Sequence, residues 1–211
     1  MDTETEHMLV EAPMRPSSAG LPAATAAFLR EGRARFGSVD CFDFVPCNYE
    51  LVWRVLDSLP RARFCEWGSG FGIVTGLAEI LGFEACGIEI DAPLADASRR
   101  LLADFGLTAR IMTGDYLDVP CNADVYFSYF WPGKVMATED RFAAISGRNA
   151  ELLICYGQSD IRRKVKRQNG RVTFDRAINA VSFVLQVSAP VWWRVGSPST
   201  QRQSPSRERA F

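Results

Sequence analysis

The sequence predicts an α/β fold with a doubly wound, mostly parallel sheet and helices on both faces. Between residues 63 and 156, short apolar segments typical of buried strands alternate with segments at helical spacing. A glycine-rich turn follows the first of these strands, and acidic residues end the second. We expect seven strands, of which the last two form a short hairpin.

Composition and charge limit the classes of function. The chain has 211 residues, 47% of them hydrophobic, which is enough for one sizeable core. The formal net charge of -1 gives no global basic field that would attract nucleic acid. No apolar run reaches the roughly 18 residues of a membrane span, and the acidic N-terminus does not resemble a secretory signal. We therefore expect a cytoplasmic protein with no membrane partner.

One domain is expected between two disordered ends. Residues 1–20 mix acids with Pro, Ser and Gly, as flexible leaders do, and residues 196–211 are rich in Ser, Pro, Gln and Arg. Residues 21–195 would form the folded, ligand-binding domain. Within it, residues 180–187 and 191–195 are the expected closing hairpin. A homodimer would cover the exposed sheet edge if these two strands did not pair.

The predicted helices follow from periodicity and from residues that start and stop helices. Asp91 is suited to cap a helix that begins Ala92-Pro93, and Thr138 is suited to cap a helix that ends near Ser146. Other helices are expected over residues 22–35, 51–59 and 73–81.

The predicted strands are apolar and short. They cover residues 63–66, 84–90, 108–112, 124–130 and 151–156. Residues 161–171 are rich in Arg and Lys and are interpreted as a solvated helix face or loop. The alternative is a patch for an acidic protein or nucleic acid, which the net charge of -1 and the acidic leader oppose.

The cysteines and the histidine show no pattern of a redox, catalytic or metal site in the sequence. None of the six cysteines forms a CxxC pair, and Cys65, Cys86 and Cys155 lie in apolar runs, as small buried hydrophobes do. The only histidine is His7, in the leader, which leaves no histidine-based triad. We expect no metal site.

The glycine-rich turn has the form E-x-G-x-G-x-G, from Glu66 to Gly72. Glycines between a strand and a helix let the backbone approach a ligand, and the helix N-terminus suits a phosphate or a carboxylate. The third glycine comes one residue earlier than in the dinucleotide pattern G-x-G-x-x-G. Glu66 would repel a pyrophosphate but can accept a hydrogen bond from an ammonium group. S-adenosylmethionine carries both an ammonium and a carboxylate group.

A second acid supports an adenosine ligand. Glu89 ends the next strand, 21 residues beyond Gly68, and an acid near that spacing can bind both ribose hydroxyls. The glycine-rich turn and the acid at the next strand end are each a weak signal alone. Together, in strand–turn–helix–strand order, they indicate an adenosine-containing ligand.

Residues 64–130 resemble the core of the class I S-adenosylmethionine-dependent methyltransferases, which have a Rossmann-like fold. The resemblance rests on Glu66, Gly68, Gly70 and Gly72 in the first motif and on Glu89 in the second. Ser69 and Ile90 lie within these motifs and are counted as cofactor-binding residues. The resemblance also extends to Gly114-Asp115-Tyr116. It implies that Asp115 accepts a hydrogen bond from the adenine amino group and that Tyr116 flanks the adenine.

Residues 44–49 resemble the segment that closes over the methionine end of the cofactor in such enzymes. Asn48 and Tyr49 are therefore predicted cofactor contacts. The alternative is that Asn48 caps a helix and Tyr49 is a core aromatic residue.

The end of the fourth predicted strand would face the transferred methyl group. Many amino-group methyltransferases have Asn, Asp or Ser there, followed by Pro-Pro and an aromatic residue. Here Tyr129 takes the polar position and Pro132 is the single proline. Tyr129 and Trp131 are the predicted catalytic residues, in an aromatic slot for a lysine amine. The alternative is that these aromatic residues pack in the core.

These observations predict S-adenosylmethionine-dependent methyl transfer to a nucleophile, such as a protein lysine, another amine or a small molecule. Two alternatives stay open. One is a NAD-dependent oxidoreductase of the Rossmann type, which the glycine spacing and Glu66 oppose. The other is a non-catalytic S-adenosylmethionine-binding protein, which the unusual fourth motif keeps open.

Overall fold

A computed structural model describes residues 9–41, 44–131 and 133–167 of the chain. Its strands are β1 (Leu9–Ala12), β2 (Arg63–Trp67), β3 (Glu84–Glu89), β4 (Arg110–Thr113), β5 (Val125–Tyr129), β6 (Glu151–Cys155) and β7 (Ile161–Lys166). Its helices are α1 (Ala23–Ala34), α2 (Tyr49–Asp57), α3 (Ile73–Ile80), α4 (Ala92–Asp104) and α5 (Val135–Ile145). None of the helices in these ranges is both long and apolar enough to cross a lipid bilayer.

The seven strands form one sheet in the order β1-β7-β6-β5-β2-β3-β4. Strands β2 to β6 pair in parallel, whereas β7 and β1 are antiparallel to their neighbours. The chain runs outward from β2 to β4 and then returns to place β5 on the other side of β2. Ligands bind at such a reversal of strand order, outside the carboxyl ends of the strands. The predicted seven-stranded, mostly parallel sheet is confirmed.

The antiparallel part of the sheet is not the predicted hairpin. The expected strands at 180–187 and 191–195 lie outside the described residues. Instead, the basic run that was predicted as a helix face or loop contains β7, which pairs with β6. The prediction failed because acids on other elements pair with two of the four cations of this strand: Arg163 binds Glu151 on β6, and Lys164 binds Glu139 on α5.

The outermost strand comes from the predicted leader. Residues 9–12, expected to be disordered, form β1 and pair with β7, with Val10 opposite Val165. Ala12 is buried, so the sheet supplies the apolar contact that this short segment cannot make alone. Strand β1 thus covers the outer edge of β7, where the closing strands were expected.

Alternating side chains along the strands build two apolar layers. Phe64 and Phe127 point to the layer that α1 to α4 complete. Cys65, Trp67 and Tyr126 point to the opposite layer, which contains Phe142 of α5 and residues of the loop 114–124. Helices therefore pack on both faces, as predicted.

Helix α5 begins earlier than predicted. Its N-cap is Lys134, and Thr138 lies inside the helix. The Thr138 hydroxyl is buried, donates a hydrogen bond to the Lys134 carbonyl and shares another with the Tyr116 hydroxyl. The Thr138 hydroxyl therefore bonds these two partners inside the fold and does not cap the helix.

Candidate functional site

A cavity of about 410 Å³ opens at the carboxyl ends of β2, β3 and β5, at the reversal of strand order. Its volume lies within the roughly 300–1,000 Å³ range of small-ligand sites. Most of the residues predicted for the cofactor and the acceptor line it: Tyr49, Glu66, Gly68, Ser69, Gly70, Glu89, Ile90, Tyr116, Tyr129 and Trp131. The topology therefore brings together residues up to 82 positions apart in the sequence, from Tyr49 to Trp131.

Three predicted residues do not line this cavity. Gly72 is the N-cap of α3. The Asp115 carboxylate accepts a hydrogen bond from the Leu117 backbone N–H at 2.9 Å. Asn48 caps α2 by accepting from the Leu51 backbone N–H at 3.1 Å, and it borders a second cavity.

The glycine turn between β2 and α3 uses left-handed backbone conformations. Gly68 has φ +74°, and a Cβ added there would meet nothing within 4 Å, because the position faces open space at the cavity. Gly72 has φ +71°, and a Cβ there would lie 1.9 Å from the Ser98 hydroxyl on α4. The first glycine therefore leaves room for a ligand, and the other permits close helix packing.

Glu66 is a buried carboxylate at the end of β2. Its Oε2 accepts hydrogen bonds from the Thr75 backbone N–H at 2.8 Å and from the Thr75 hydroxyl at 2.6 Å. Burial nevertheless raises the pKa of Glu66 to about 8. A cation arriving in the cavity would stabilise the ionised form of this group.

Glu89 occupies the matching position at the end of β3. Its two carboxylate oxygens accept from the Gly70 backbone N–H at 2.6 Å and from the Asp91 backbone N–H at 2.9 Å. Each carboxylate oxygen can accept more than one bond, so both retain capacity for hydroxyl donors. Ile90, which follows, is 64% exposed and offers an apolar surface at the cavity wall.

Ser69 presents an unsatisfied group at the same wall. Its side chain is 4% exposed, and its hydroxyl has no hydrogen-bond partner among the described residues. A buried hydroxyl without a partner is costly, and a polar ligand in the cavity would remove that cost.

Tyr116 is held by two contacts. Its ring stacks on Trp67 with centroids 5.3 Å apart and planes at 12°, and its hydroxyl bonds the Thr138 hydroxyl at 2.8 Å. These contacts fix a flat aromatic ring at the cavity wall, beside Asp115.

The aromatic residues after β5 separate into two groups. Tyr129 and Trp131 line the cavity, whereas Phe130 packs on Tyr156 with centroids 5.0 Å apart. Burial raises the pKa of Tyr129, so its hydroxyl stays protonated at neutral pH and can donate a hydrogen bond. Trp131 is 39% exposed, so part of its ring is free to meet an acceptor.

The segment that precedes α2 forms another wall. Phe44 meets Phe71 edge-on with centroids 5.0 Å apart, and the Gln158 side chain donates to the Pro46 carbonyl at 2.8 Å. Phe44, Val45 and Cys47, from the segment predicted to close over the methionine end, also line the cavity. The remaining lining residues were not predicted for the site: Cys41, Trp67, Ile73, Val74, Asp91, Leu94, Phe127, Ser128 and Lys134. Most are apolar and indistinguishable from core residues in the sequence. Asp91 and Lys134 carried a signal, because Asp91 is one of the acids at the end of the second predicted strand and Lys134 is a cation three residues after Trp131.

No protein-family model and no curated protein matches the chain. Among solved structures, it is similar to the S-adenosylhomocysteine-bound Podospora anserina methyltransferase PaMTH1, with a TM-score of 0.53 and 18% identity over 65% of this chain and 63% of that one. It is also similar to YjhP from E. coli (TM-score 0.46, 20% identity, 63% of this chain and 55% of that one). An RNA methyltransferase from Salinibacter ruber in complex with S-adenosyl-L-homocysteine gives a TM-score of 0.45 at 16% identity, over 54% of this chain and 85% of that one.

The aligned region thus spans less than two thirds of the Podospora and E. coli chains. The strand order, the cavity at its reversal point and the likeness to PaMTH1 agree on one fold. This chain has a Rossmann-like fold, which it shares with that methyltransferase.

Proposed function

We propose that this protein transfers a methyl group from S-adenosylmethionine to a nucleophilic acceptor, and that the acceptor atom is an amine nitrogen. The observation that carries the proposal is the composition of the cavity wall. Two buried carboxylates surround the glycine turn, together with a serine hydroxyl that has no partner in the described part of the chain. The aromatic pair Tyr129 and Trp131 lines the same cavity. This wall suits a ligand with an ammonium group, a carboxylate and a ribose.

The methionine end of the cofactor would lie at the glycine turn. Glu66 would accept a hydrogen bond from the ammonium group. The positive charge of that group would stabilise the ionised form of the buried carboxylate. The Ser69 hydroxyl would bond a polar group of the ligand, and Gly68 leaves space for close approach. Asn48 and Tyr49 would close this end, with Tyr49 on the cavity wall and Asn48 acting through the cap of α2.

The adenosine end would lie between β3 and the loop after β4. Glu89 would bind the two ribose hydroxyls, because its oxygens retain acceptor capacity beside Gly70 and Asp91. Ile90 and Tyr116 would flank the adenine ring. Asp115 would accept from the adenine amino group once the ligand is bound.

The same contacts oppose a NAD-dependent reaction. A pyrophosphate needs free backbone N–H groups at the turn and at the helix N-terminus. Here the Thr75 N–H is bonded to Glu66 and the Gly70 N–H is bonded to Glu89. A doubly charged pyrophosphate would meet two carboxylates in place of the donors it requires.

The sulfonium of the bound cofactor supplies an already activated methyl group, so the protein must mainly align the acceptor. The Tyr129 hydroxyl can accept a hydrogen bond from an amine N–H, which leaves the nitrogen lone pair free to attack the methyl group as its bond to sulfur breaks. The faces of Tyr129 and Trp131 favour the positive charge that develops on nitrogen. Lys134 lines the same cavity. Its charge would lower the pKa of a nearby acceptor amine, which favours the neutral, nucleophilic form.

Thermal-shift titration with S-adenosylhomocysteine and NAD tests the cofactor. At 100 times its dissociation constant, a ligand stabilises the native state by about 2.7 kcal/mol. We expect this shift with S-adenosylhomocysteine and none with NAD. E89A should abolish the shift, whereas E84A, an exposed change on the same strand, should retain it. A shift with NAD alone would refute the proposal.

Methyl transfer is tested separately with labelled S-adenosylmethionine, lysate proteins and small amines. We expect W131A to lose transfer and to keep S-adenosylhomocysteine binding, because Trp131 would contact the acceptor. The control is M136A on α5, which is 70% exposed and does not line the cavity. Binding without transfer to any acceptor would favour the non-catalytic binding protein.

A further inference from the structure

Three cysteines from separate segments place their sulfur atoms together. Cys65 lies on β2, and its register partner on β3 is Cys86. Cys121 belongs to the loop 114–124, which connects β4 to β5. All three Sγ atoms lie within 4.8 Å of one another, and those of Cys86 and Cys121 are 3.8 Å apart. The sequence suggested only isolated buried thiols, because no spacing of the CxxC type relates these positions.

We propose that Cys65, Cys86 and Cys121 bind a thiophilic metal ion, Zn²⁺, through three thiolates. Two sulfur atoms bound at about 2.3 Å with a tetrahedral angle lie about 3.8 Å apart, which matches the separation of Cys86 and Cys121. The cluster contains sulfur donors alone, and soft ligands of this kind select zinc or copper(I) over magnesium or calcium.

The local charge favours a divalent ion. Three thiolates and Zn²⁺ carry a net charge of -1, whereas a monovalent ion would leave -2. Arg110 on β4 is the register partner of Cys86, so a cation is available beside the site. Cys65 is fully buried, but Cys86 and Cys121 are half-buried. The open side gives the ion a path inward and gives water access to the fourth position, since no fourth His, Cys, Asp or Glu of the described residues joins the cluster.

The bound metal ion would fix the loop 114–124 to the sheet. This loop contains no helix or strand, yet it carries Asp115 and Tyr116. Near its far end, the Tyr126 hydroxyl accepts from the Ala123 N–H at 3.0 Å and donates to the Cys121 carbonyl at 3.3 Å. A metal bond from Cys121 to β2 and β3 would anchor the loop to the sheet. Any effect of this anchoring on adenine binding rests on the proposed function. The metal site itself does not rest on it.

Elemental analysis of the reduced protein, purified with Zn²⁺ and freed of loosely bound ions, tests the proposal. We expect one zinc per chain, and thiolate-to-cobalt charge-transfer bands when Co²⁺ replaces it. C86S and C121S should each lose the zinc and the bands. The control C155S removes a buried thiol outside the cluster and should keep both, since serine can still donate to the Gly157 carbonyl. Circular dichroism establishes that each variant is folded.

Three outcomes would overturn the proposal: no zinc in the reduced wild type, zinc retained by C121S, or a Cys86–Cys121 disulfide in place of a metal. The metal content of protein purified without added metal tests the choice of ion, and copper in place of zinc there would overturn the divalent assignment. E89A separates this proposal from the proposed function. It should bind zinc normally even though it is expected to lose S-adenosylhomocysteine binding.

Discussion

At the scale of single residues, Glu66 is held in a charge state that depends on what fills the cavity. Burial raises its pKa from an ordinary value of 4.5 to about 8, although Thr75 donates two hydrogen bonds to it. The nearby titratable groups are Glu89, Cys47 and Tyr49, none of which is a cation. Because the folded-state pKa is raised, the contribution of Glu66 to stability is complete below pH 4.5 and is lost as the pH rises through 8.

We predict that E66Q stabilises the ligand-free protein at alkaline pH, because glutamine can accept the same bonds without a charge. The gain in free energy of unfolding should be small near pH 5 and reach roughly 1–4 kcal/mol at pH 8. Urea denaturation across this range measures it, with E84Q as the exposed control. Binding of S-adenosylhomocysteine should weaken in the same variant. A gain that does not change with pH would contradict the assignment.

At the scale of elements, the turn between β2 and α3 uses two glycines for different purposes. Both have positive φ, but only Gly72 lies against another helix, through Ser98 on α4. Gly68 faces open space at the cavity. The same substitution at the two positions should therefore separate packing from ligand binding.

G72A should lower the free energy of unfolding by about 2–4 kcal/mol, because the new methyl group overlaps the Ser98 hydroxyl and the backbone is strained. G68A should cost about 1 kcal/mol, from backbone strain alone. Isothermal titration should find the larger loss of S-adenosylhomocysteine affinity in G68A, compared under conditions in which both variants are folded. Equal losses of stability would contradict this division of roles.

At the scale of the whole molecule, β1 completes the sheet from the opposite end of the chain. It lies on the outer edge of β7, which would otherwise present unpaired backbone groups. Two of the four cations of β7, Arg163 and Lys164, are in turn paired with Glu151 and Glu139. The edge that a homodimer was expected to cover is therefore occupied by the chain itself.

Deletion of residues 1–12 should lower the free energy of unfolding by about 1–3 kcal/mol, because the backbone hydrogen bonds between β1 and β7 are lost and the outer edge of β7 is exposed. It should also promote self-association, which light scattering after size exclusion would detect. The full chain at the same concentration is the control. A shortened chain that stays as stable and as dispersed as the full one would mean that β1 does not protect this edge.

The residues of the glycine turn and the acids that end β2 and β3 could be predicted because their signals are local. A few consecutive positions specify a strand, a turn with positive φ and a helix start, and parallel strands bring their carboxyl ends to one edge. Contacts between distant segments could not be predicted in this way. Strand β1 pairs with a basic segment more than 150 residues away, and three cysteines without a common spacing meet on one face. Lys134 reaches the cavity only because α5 begins there. Such arrangements depend on which surfaces the packed sheet and helices bring together, because the free energy of these contacts appears only when the whole sheet has formed.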